Sequence, residues 1–241
     1  MVYQQYVFNS DATNDPNSPT FNLGRAPNIA KFKILSCNVP LSFHTTGRHN
    51  NVVAIREDGN VRYVTLPEGS YNSASFPQLL QDSLGGTYTV TYDETQRNLR
   101  IENNSVTFSI LGLDGGTSAY FQLGARRQGE SPAGNVFQGG VSNMTGTQAL
   151  LLVSSELFTR DLCFANLESV NCLAMIELNT PVGSYMHWRN PGGYLDSGVP
   201  MSYCRFRYLD SQTLNEIDFR GAGYTIQLGI LTDDDDDVTY M

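Results

Sequence analysis

The chain has 241 residues, a formal net charge of -9 and 40% hydrophobic residues, enough to bury a core, which excludes disorder for most of its length. Only 16% of the residues are charged, and 22 Gly and 10 Pro favour strands joined by turns over amphipathic helices. The excess of carboxylates argues against direct nucleic-acid binding, because neutralising phosphates needs clustered Lys and Arg.

The first 30 residues are polar and contain Pro16 and Pro19, so they are predicted to form an extended arm or an edge segment. Residues 31–39 alternate and are rich in strand formers, which predicts the first regular strand. Two further strand patterns, 52–55 and 61–66, flank an Asp-Gly turn and predict a hairpin.

One stretch, residues 73–84, carries both a helix start and a helical period. Ser73 or Ser75 can cap it, and Pro77 suits the first turn. Its apolar residues fall on one face: Phe76, Leu79, Leu80 and Leu84. Gly85 and Gly86 follow and predict its end, so we expect one short helix.

The remaining pattern is dominated by strands. We predict them at 88–92, 99–101, 106–110, 148–154, 172–178, 201–209 and 224–231. Residues 112–146 are glycine-rich and weakly patterned, which predicts a long connection. About ten to twelve strands and one helix are typical of an all-β antiparallel sandwich or jelly roll.

No segment predicts membrane insertion or secretion. The longest apolar run covers residues 149–153, far short of the roughly 20 residues of a membrane-spanning helix. The N-terminus has neither a basic segment nor an apolar core, so no signal peptide is expected. The four cysteines, Cys37, Cys163, Cys172 and Cys204, lack a CxxC spacing and are predicted to be buried thiols.

Five consecutive aspartates, Asp233 to Asp237, account for most of the net charge. A run of like charges repels itself, so a solvated tail over residues 233–241 is the preferred interpretation. The alternatives are a Ca²⁺ site or a contact with a basic partner; the run lacks the turn glycine that a calcium loop needs.

The sequence contains little that indicates an enzyme. The possible general bases are His44, His49 and His187, and no GxSxG motif accompanies them. His44 and His49 could ligate a metal, but no third ligand with metal-site spacing stands nearby, so they are interpreted as loop residues. The glycine-rich segments lack the helix and Lys of a phosphate-binding loop. We therefore predict no enzyme, no metal and no cofactor.

A binding surface is more plausible. The densest aromatic and guanidinium segment is predicted to be an interface or binding loop carrying Tyr185, His187, Trp188, Arg189 and Tyr194. An aromatic ring beside Arg can stack on a sugar or anchor a protein interface. The same segment could equally be a loop that folds over the end of the core.

The order of several segments resembles minor capsid and penton proteins of tailless icosahedral double-stranded DNA viruses, the group of virophages, polinton-like viruses, adintoviruses and giant viruses. The resemblance rests on Leu66-Pro-Glu-Gly-Ser-Tyr71, the helix to Leu84, Tyr88-Thr-Val-Thr-Tyr-Asp93, Leu99-Arg-Ile-Glu102, Val106-Thr-Phe-Ser-Ile110 and Tyr120-Phe-Gln-Leu-Gly124. Shorter likenesses are Val39-Pro-Leu-Ser-Phe43, the strand 150–157, Met175-Ile-Glu-Leu178, Leu209-Asp-Ser-Gln212 and Ile217-Asp-Phe219. Together they cover roughly residues 31–231.

The resemblance implies a single jelly roll over residues 31–232 with an inserted helix-and-strand module at about 52–146, preceded by the arm at 1–30. It implies a capsid structural protein, made inside the host cell and located in the virion. We expect a penton that forms homopentamers at fivefold vertices, with itself and the major capsid protein as partners. The alternatives are a non-penton minor capsid protein and a carbohydrate- or receptor-binding β-sandwich.

Overall fold

The computed structural model describes residues 2–12, 19–23, 28–48, 50–112, 118–126, 128–157, 163–165, 168–200 and 202–232. In chain order, its elements are β1 (Val2–Asn9), a 3-10 turn (Ser10–Ala12), β2 (Thr20–Asn22), β3 (Asn28–Pro40), β4 (Val52–Glu57), β5 (Asn60–Thr65), α1 (Phe76–Leu84), β6 (Tyr88–Asp93), β7 (Asn98–Asn103), β8 (Phe108–Gly112), α2 (Tyr120–Leu123), β9 (Gly129–Glu130), β10 (Val136–Val141), β11 (Ala149–Ser154), β12 (Cys163–Ala165), β13 (Glu168–Val170), β14 (Cys172–Glu177), β15 (Tyr185–Arg189), β16 (Leu195–Pro200), β17 (Tyr203–Asp210) and β18 (Thr225–Thr232).

The chain divides into two compact units. The first combines the described residues of 1–43 and 148–241, and the second is formed by those of 44–147. The second unit therefore lies, along the chain, between β3 and β11 of the first.

The first unit is built on two antiparallel sheets. Sheet A has the strand order β1-β18-β3-β15, and β16 pairs with the part of β3 that β15 leaves open. Sheet B has the order β14-β11-β17-β2. In chain order, β1 lies in sheet A, β2 in B, β3 in A, β11 and β14 in B, β15 and β16 in A, β17 in B and β18 in A. Because β15 and β16 both pair with β3, they fill one strand position. Two four-stranded sheets wound in this alternating order form a jelly roll, so the predicted all-β jelly-roll fold is confirmed.

The core of this unit fills the space between the two sheets. Phe8 of sheet A packs on Phe21 and Phe206 of sheet B, with ring centroids 4.6 and 5.7 Å apart. Tyr208 and Tyr224 meet edge to face at 4.8 Å and are almost fully buried. Burying each such ring stabilises the sandwich by roughly 1.5–3 kcal/mol.

The described residues of 1–30 do not form a separate arm. β1 pairs with β18 along its whole length, from Val2 opposite Thr232 to Asn9 opposite Thr225, and β2 pairs with β17. Both are edge strands of the sandwich, which agrees with the edge-segment interpretation. The prediction of an arm outside the jelly roll is therefore wrong. The sequence gives only a weak strand signal here, because each strand buries a single side chain: Phe8 in β1 and Phe21 in β2.

The second unit contains two further small sheets, β5-β4-β8-β9 and β10-β7-β6, together with α1 and α2. The β4–β5 hairpin has the predicted Asp-Gly turn, with positive φ at both Asp58 (47°) and Gly59 (87°). Its own core includes residues of α1, β4 and β7, among them Phe76, Ile55 and Leu99.

Helix α1 buries Phe76, Leu80 and Leu84, as its period predicts, and carries proline in its first turn. The predicted serine cap is wrong: Ser75 occupies the N-cap position but makes no capping hydrogen bond. Instead, Asn72 Oδ1 accepts hydrogen bonds from the backbone N–H groups of Ala74 and Ser75, each at 3.0 Å. A side-chain oxygen outside the helix thus organises its entry.

The predicted connection at 112–146 is also wrong in part, because it contains β10, which pairs with β7. The strand was not predicted because glycines interrupt its sequence pattern. A Cβ added at Gly139 would overlap the carbonyl oxygen of Leu123, and one at Gly124 (φ 63°) would overlap that of Gly140. The close approach of α2 to β10 therefore requires glycine at these positions. Because glycine has no apolar side chain, β10 lacks the apolar alternation by which a strand is recognised in a sequence.

Cys37, Cys172 and Cys204 are buried, as predicted. The side chain of Cys163 and the acidic tail at 233–241 lie outside the described residues. Among the described helices, none combines the length and the hydropathy needed to cross a membrane.

Candidate interface on sheet A

The segment predicted to be a binding loop is mostly a strand. Tyr185–Arg189 forms β15 and pairs with β3, so that Tyr185 lies opposite Pro40 and Arg189 opposite Ser36. The loop interpretation is wrong for these five residues, although Tyr194 does lie in the connection that follows. As an edge strand, β15 fixes its side chains on the two faces of sheet A.

Alternation along β15 separates the predicted site residues. Met186 points into the core, and Trp188 is half-buried and packs against the same core. Tyr185, His187 and Arg189 point to the opposite face, where the side chain of Tyr185 is 56% exposed. Arg189 Nε donates a hydrogen bond to His187 Nε2 at 3.2 Å. Three of the five residues therefore share one surface, and Trp188 belongs to the core side.

Tyr194 has a partner on this surface, Tyr3, that was not predicted from the sequence. Tyr3 of β1 interacts with Tyr194; burial, followed by the charge and hydrogen bond of Tyr3, raises the pKa of Tyr194. Tyr3 lies over Gly229 of β18, and a Cβ at Gly229 would sit 3.2 Å from its ring. The glycine at this position of sheet A thus leaves room for the tyrosine ring.

The two lysines of the chain also lie on this outer face. Lys31 is opposite Leu231 and Lys33 is opposite Gly229, in the register that points away from the core. Lys31 Nζ forms an ion pair with Asp196 Oδ1 of β16 at 3.5 Å. The sequence shows that lysine is scarce, but it does not show where the two lysines lie. Their position on one face follows from the register of β3 with β16 and β18.

Other shifted groups have structural explanations. Burial raises the pKa of Cys37 to about 12, so its thiol stays protonated and inert. Burial, more than the nearby Cys37 and Tyr224, raises the pKa of Tyr208. Within the described parts of the chain, no group of three or more His, Cys, Asp or Glu side chains could hold a metal. His44 is half-buried in the second unit, and His49 lies outside the described residues.

Comparison with known proteins gives matches only among solved structures. No protein-family model matches the chain, and no curated protein matches it. The chain is similar to selenomethionine-labelled mavirus penton protein, with 9% identity, a TM-score of 0.46 and coverage of 96% of this chain and 100% of the other. It is also similar to a chain in the cryo-EM structure of the Sputnik virophage, with 14% identity, a TM-score of 0.43 and coverage of 96% and 97%.

Proposed function

We propose that the chain is a structural protein of a viral capsid, and specifically the penton that forms homopentamers at fivefold vertices. The observation that carries the proposal is the strand order of the first unit, a single eight-position jelly roll interrupted between β3 and β11 by a second compact unit. This fold recurs in viral capsid domains. The sequence segments that resemble capsid proteins follow one another through both units, from β3 to β18.

The exposed surface of the first unit suits repeated contacts between copies. On sheet A, large exposed side chains are Tyr3, Val7 and Tyr185; on sheet B, they are Met175 and Tyr203. A ring of identical subunits needs two different patches that meet head to tail. Apolar and aromatic groups on two separate sheets meet that requirement.

The described ionisable groups support a structural role. Glu57 and Arg62 have shifted pKa values chiefly because they bond to each other, whereas the pKa values of Tyr88, Cys37 and Tyr208 are raised chiefly by burial. The ion pair and the burial that shift these pKa values also stabilise the fold. Structural ion pairs and burial account for these shifts without a catalytic role.

A virion location follows from the proposed role, with the major capsid protein as the neighbouring partner. The test is a cryo-microscopy map of the parent particle. We expect density for this chain in five copies around each fivefold vertex. Density between vertices would instead make it a non-penton minor capsid protein, and absence from the particle would overturn the capsid proposal.

The competing carbohydrate- or receptor-binding role depended on the Tyr185–Tyr194 segment. Stacking on a sugar needs an exposed ring face, whereas Trp188 packs against the core. Tyr185 and Tyr194 remain as exposed rings. A glycan array probed with the purified chain tests this role: specific binding that Tyr185→Ala abolishes would favour it over the capsid proposal.

A further inference from the structure

The outer face of sheet A is basic although the protein as a whole is acidic. We define the basic face as Lys31, Lys33, His187 and Arg189, which share the outer side of β3 and β15. Both lysines of a chain with a net charge of -9 are therefore gathered on one surface. Such a concentration of positive charge attracts an anionic partner.

Carboxylates are scarce on this face. In the five strands that make up sheet A, Asp196 is the one acidic residue, and it pairs with Lys31 across 3.5 Å between partly exposed side chains. Lys33 lies opposite Gly229, so its register partner on β18 supplies no carboxylate. The basic face therefore has more cationic groups than its own strands neutralise.

The densest negative charge of the chain follows the central strand of the same sheet. β18 ends at Thr232, and Asp233 to Asp237 come next in the sequence. Leu231 of β18 is the register partner of Lys31. With neighbouring strands about 4.8 Å apart and a rise of about 3.3 Å per residue, the backbone of Lys31 and Lys33 lies within about 12 Å of Thr232.

Five extended residues span about 16 Å, so this segment has the length to turn back over both lysines. We propose that Asp233 to Asp237 bind the basic face of their own chain. The two lysines then partly relieve the mutual repulsion of the five carboxylates. Attachment through Thr232 gives the segment a high effective concentration at this face, which favours it over a free anion.

The scarcity of lysine provides a direct test. Reductive methylation with ¹³C-formaldehyde keeps the charge of each amine and labels Lys31, Lys33 and the amino terminus. The comparison is between the unsubstituted chain and a variant in which Asp233 to Asp237 are all replaced by Asn. A control variant, Asp58→Asn with Asp82→Asn, removes two carboxylates from exposed positions of the second unit.

We expect the two lysine signals to shift in the tail variant and to stay unchanged in the control variant. The difference should disappear near 1 M salt, where the Debye length falls to about 3 Å. Lysine signals that are identical with and without the five aspartates would overturn the proposal.

Zero-length carbodiimide cross-linking, followed by denaturing electrophoresis and peptide mapping, identifies whose tail is bound. We expect amide links between Lys31 or Lys33 and the aspartates within single chains of 26.6 kDa. Links found solely in covalent dimers would overturn the assignment to the same chain and make a second copy the occupant. Neither result depends on the capsid role.

Discussion

The hydroxyl of Tyr88 donates a hydrogen bond to Glu57 Oε1 at 2.5 Å, which joins β6 to β4 within the second unit. Arg62 Nη2 donates to the same oxygen at 2.7 Å and to the carbonyl of Leu84 at 3.2 Å. The Glu57 carboxylate thus connects two small sheets, and Arg62 links this contact to the end of α1. The module inserted into the jelly roll depends on this polar contact as well as on its apolar core.

Tyr88→Phe should lower the free energy of unfolding by about 1–3 kcal/mol, because it removes one hydrogen bond to a charged acceptor. The ring packs edge to face on Phe108 at 5.3 Å, and this contact is kept in the variant. Urea unfolding measures the change. Tyr92→Phe is the control, since Tyr92 is a half-buried tyrosine of the same strand; it should stay within about 0.5 kcal/mol of the unsubstituted chain. Equal effects of the two substitutions would contradict the proposed importance of the Tyr88 hydroxyl.

Acid should weaken the same contact. The hydrogen bond from Arg62, with that from Tyr88, lowers the pKa of Glu57 against the opposing effect of burial. A lowered pKa in the folded state gives stability that is present above the ordinary Glu value of about 4.3 and is lost as the pH falls through the folded value. The stability difference between the unsubstituted chain and Glu57→Gln should therefore shrink from about pH 6 to about pH 3. A difference that stays constant over this range, measured by urea unfolding, would show that Glu57 is not held ionised by its partners.

The contact between α2 and β10 predicts a steric requirement. Gly139→Ala should destabilise the chain by about 1–3 kcal/mol or more, because the new Cβ meets the Leu123 carbonyl. Gly86→Ala is the control, as no atom lies within 4 Å of its added Cβ, and it should change stability by less than about 1 kcal/mol. Thermal unfolding of both variants measures the contrast, and a tolerated Gly139→Ala would mean that α2 does not approach β10 so closely.

These elements show which features a sequence reveals. The β4–β5 turn and α1 were predicted because Asp58-Gly59 and the Phe76, Leu80, Leu84 period are local signals. β10 was missed because two of its residues are glycines, which the contact with α2 requires and which interrupt the apolar alternation of the strand.

The candidate interface was predicted from composition, and most of it was assigned to a loop although it forms a strand. Tyr185 to Arg189 alternate between the two faces of a strand, but the adjacent Asn190-Pro-Gly-Gly193 turn suggested a loop. The proximity of Tyr3 to Tyr194 depends on β1 and β18, which come from the two ends of the chain, and the placement of both lysines depends on the pairing of β3 with β16 and β18. No local pattern contains that information.

Trp188 and Tyr185 should respond differently to truncation. Trp188→Ala should cost about 2 kcal/mol or more of stability, because the indole packs against the jelly-roll core. Tyr185→Ala should leave stability within about 1 kcal/mol, since its side chain is 56% exposed, and should weaken self-association. Unfolding curves and sedimentation of the two variants separate these effects. A Tyr185→Ala chain that assembles normally would remove Tyr185 from the proposed interface.

The mass of the purified chain in solution, measured by light scattering, tests the penton role most directly. We expect a stable particle of five chains of 26.6 kDa each. A stable trimer, or a monomer that persists at high protein concentration, would contradict it.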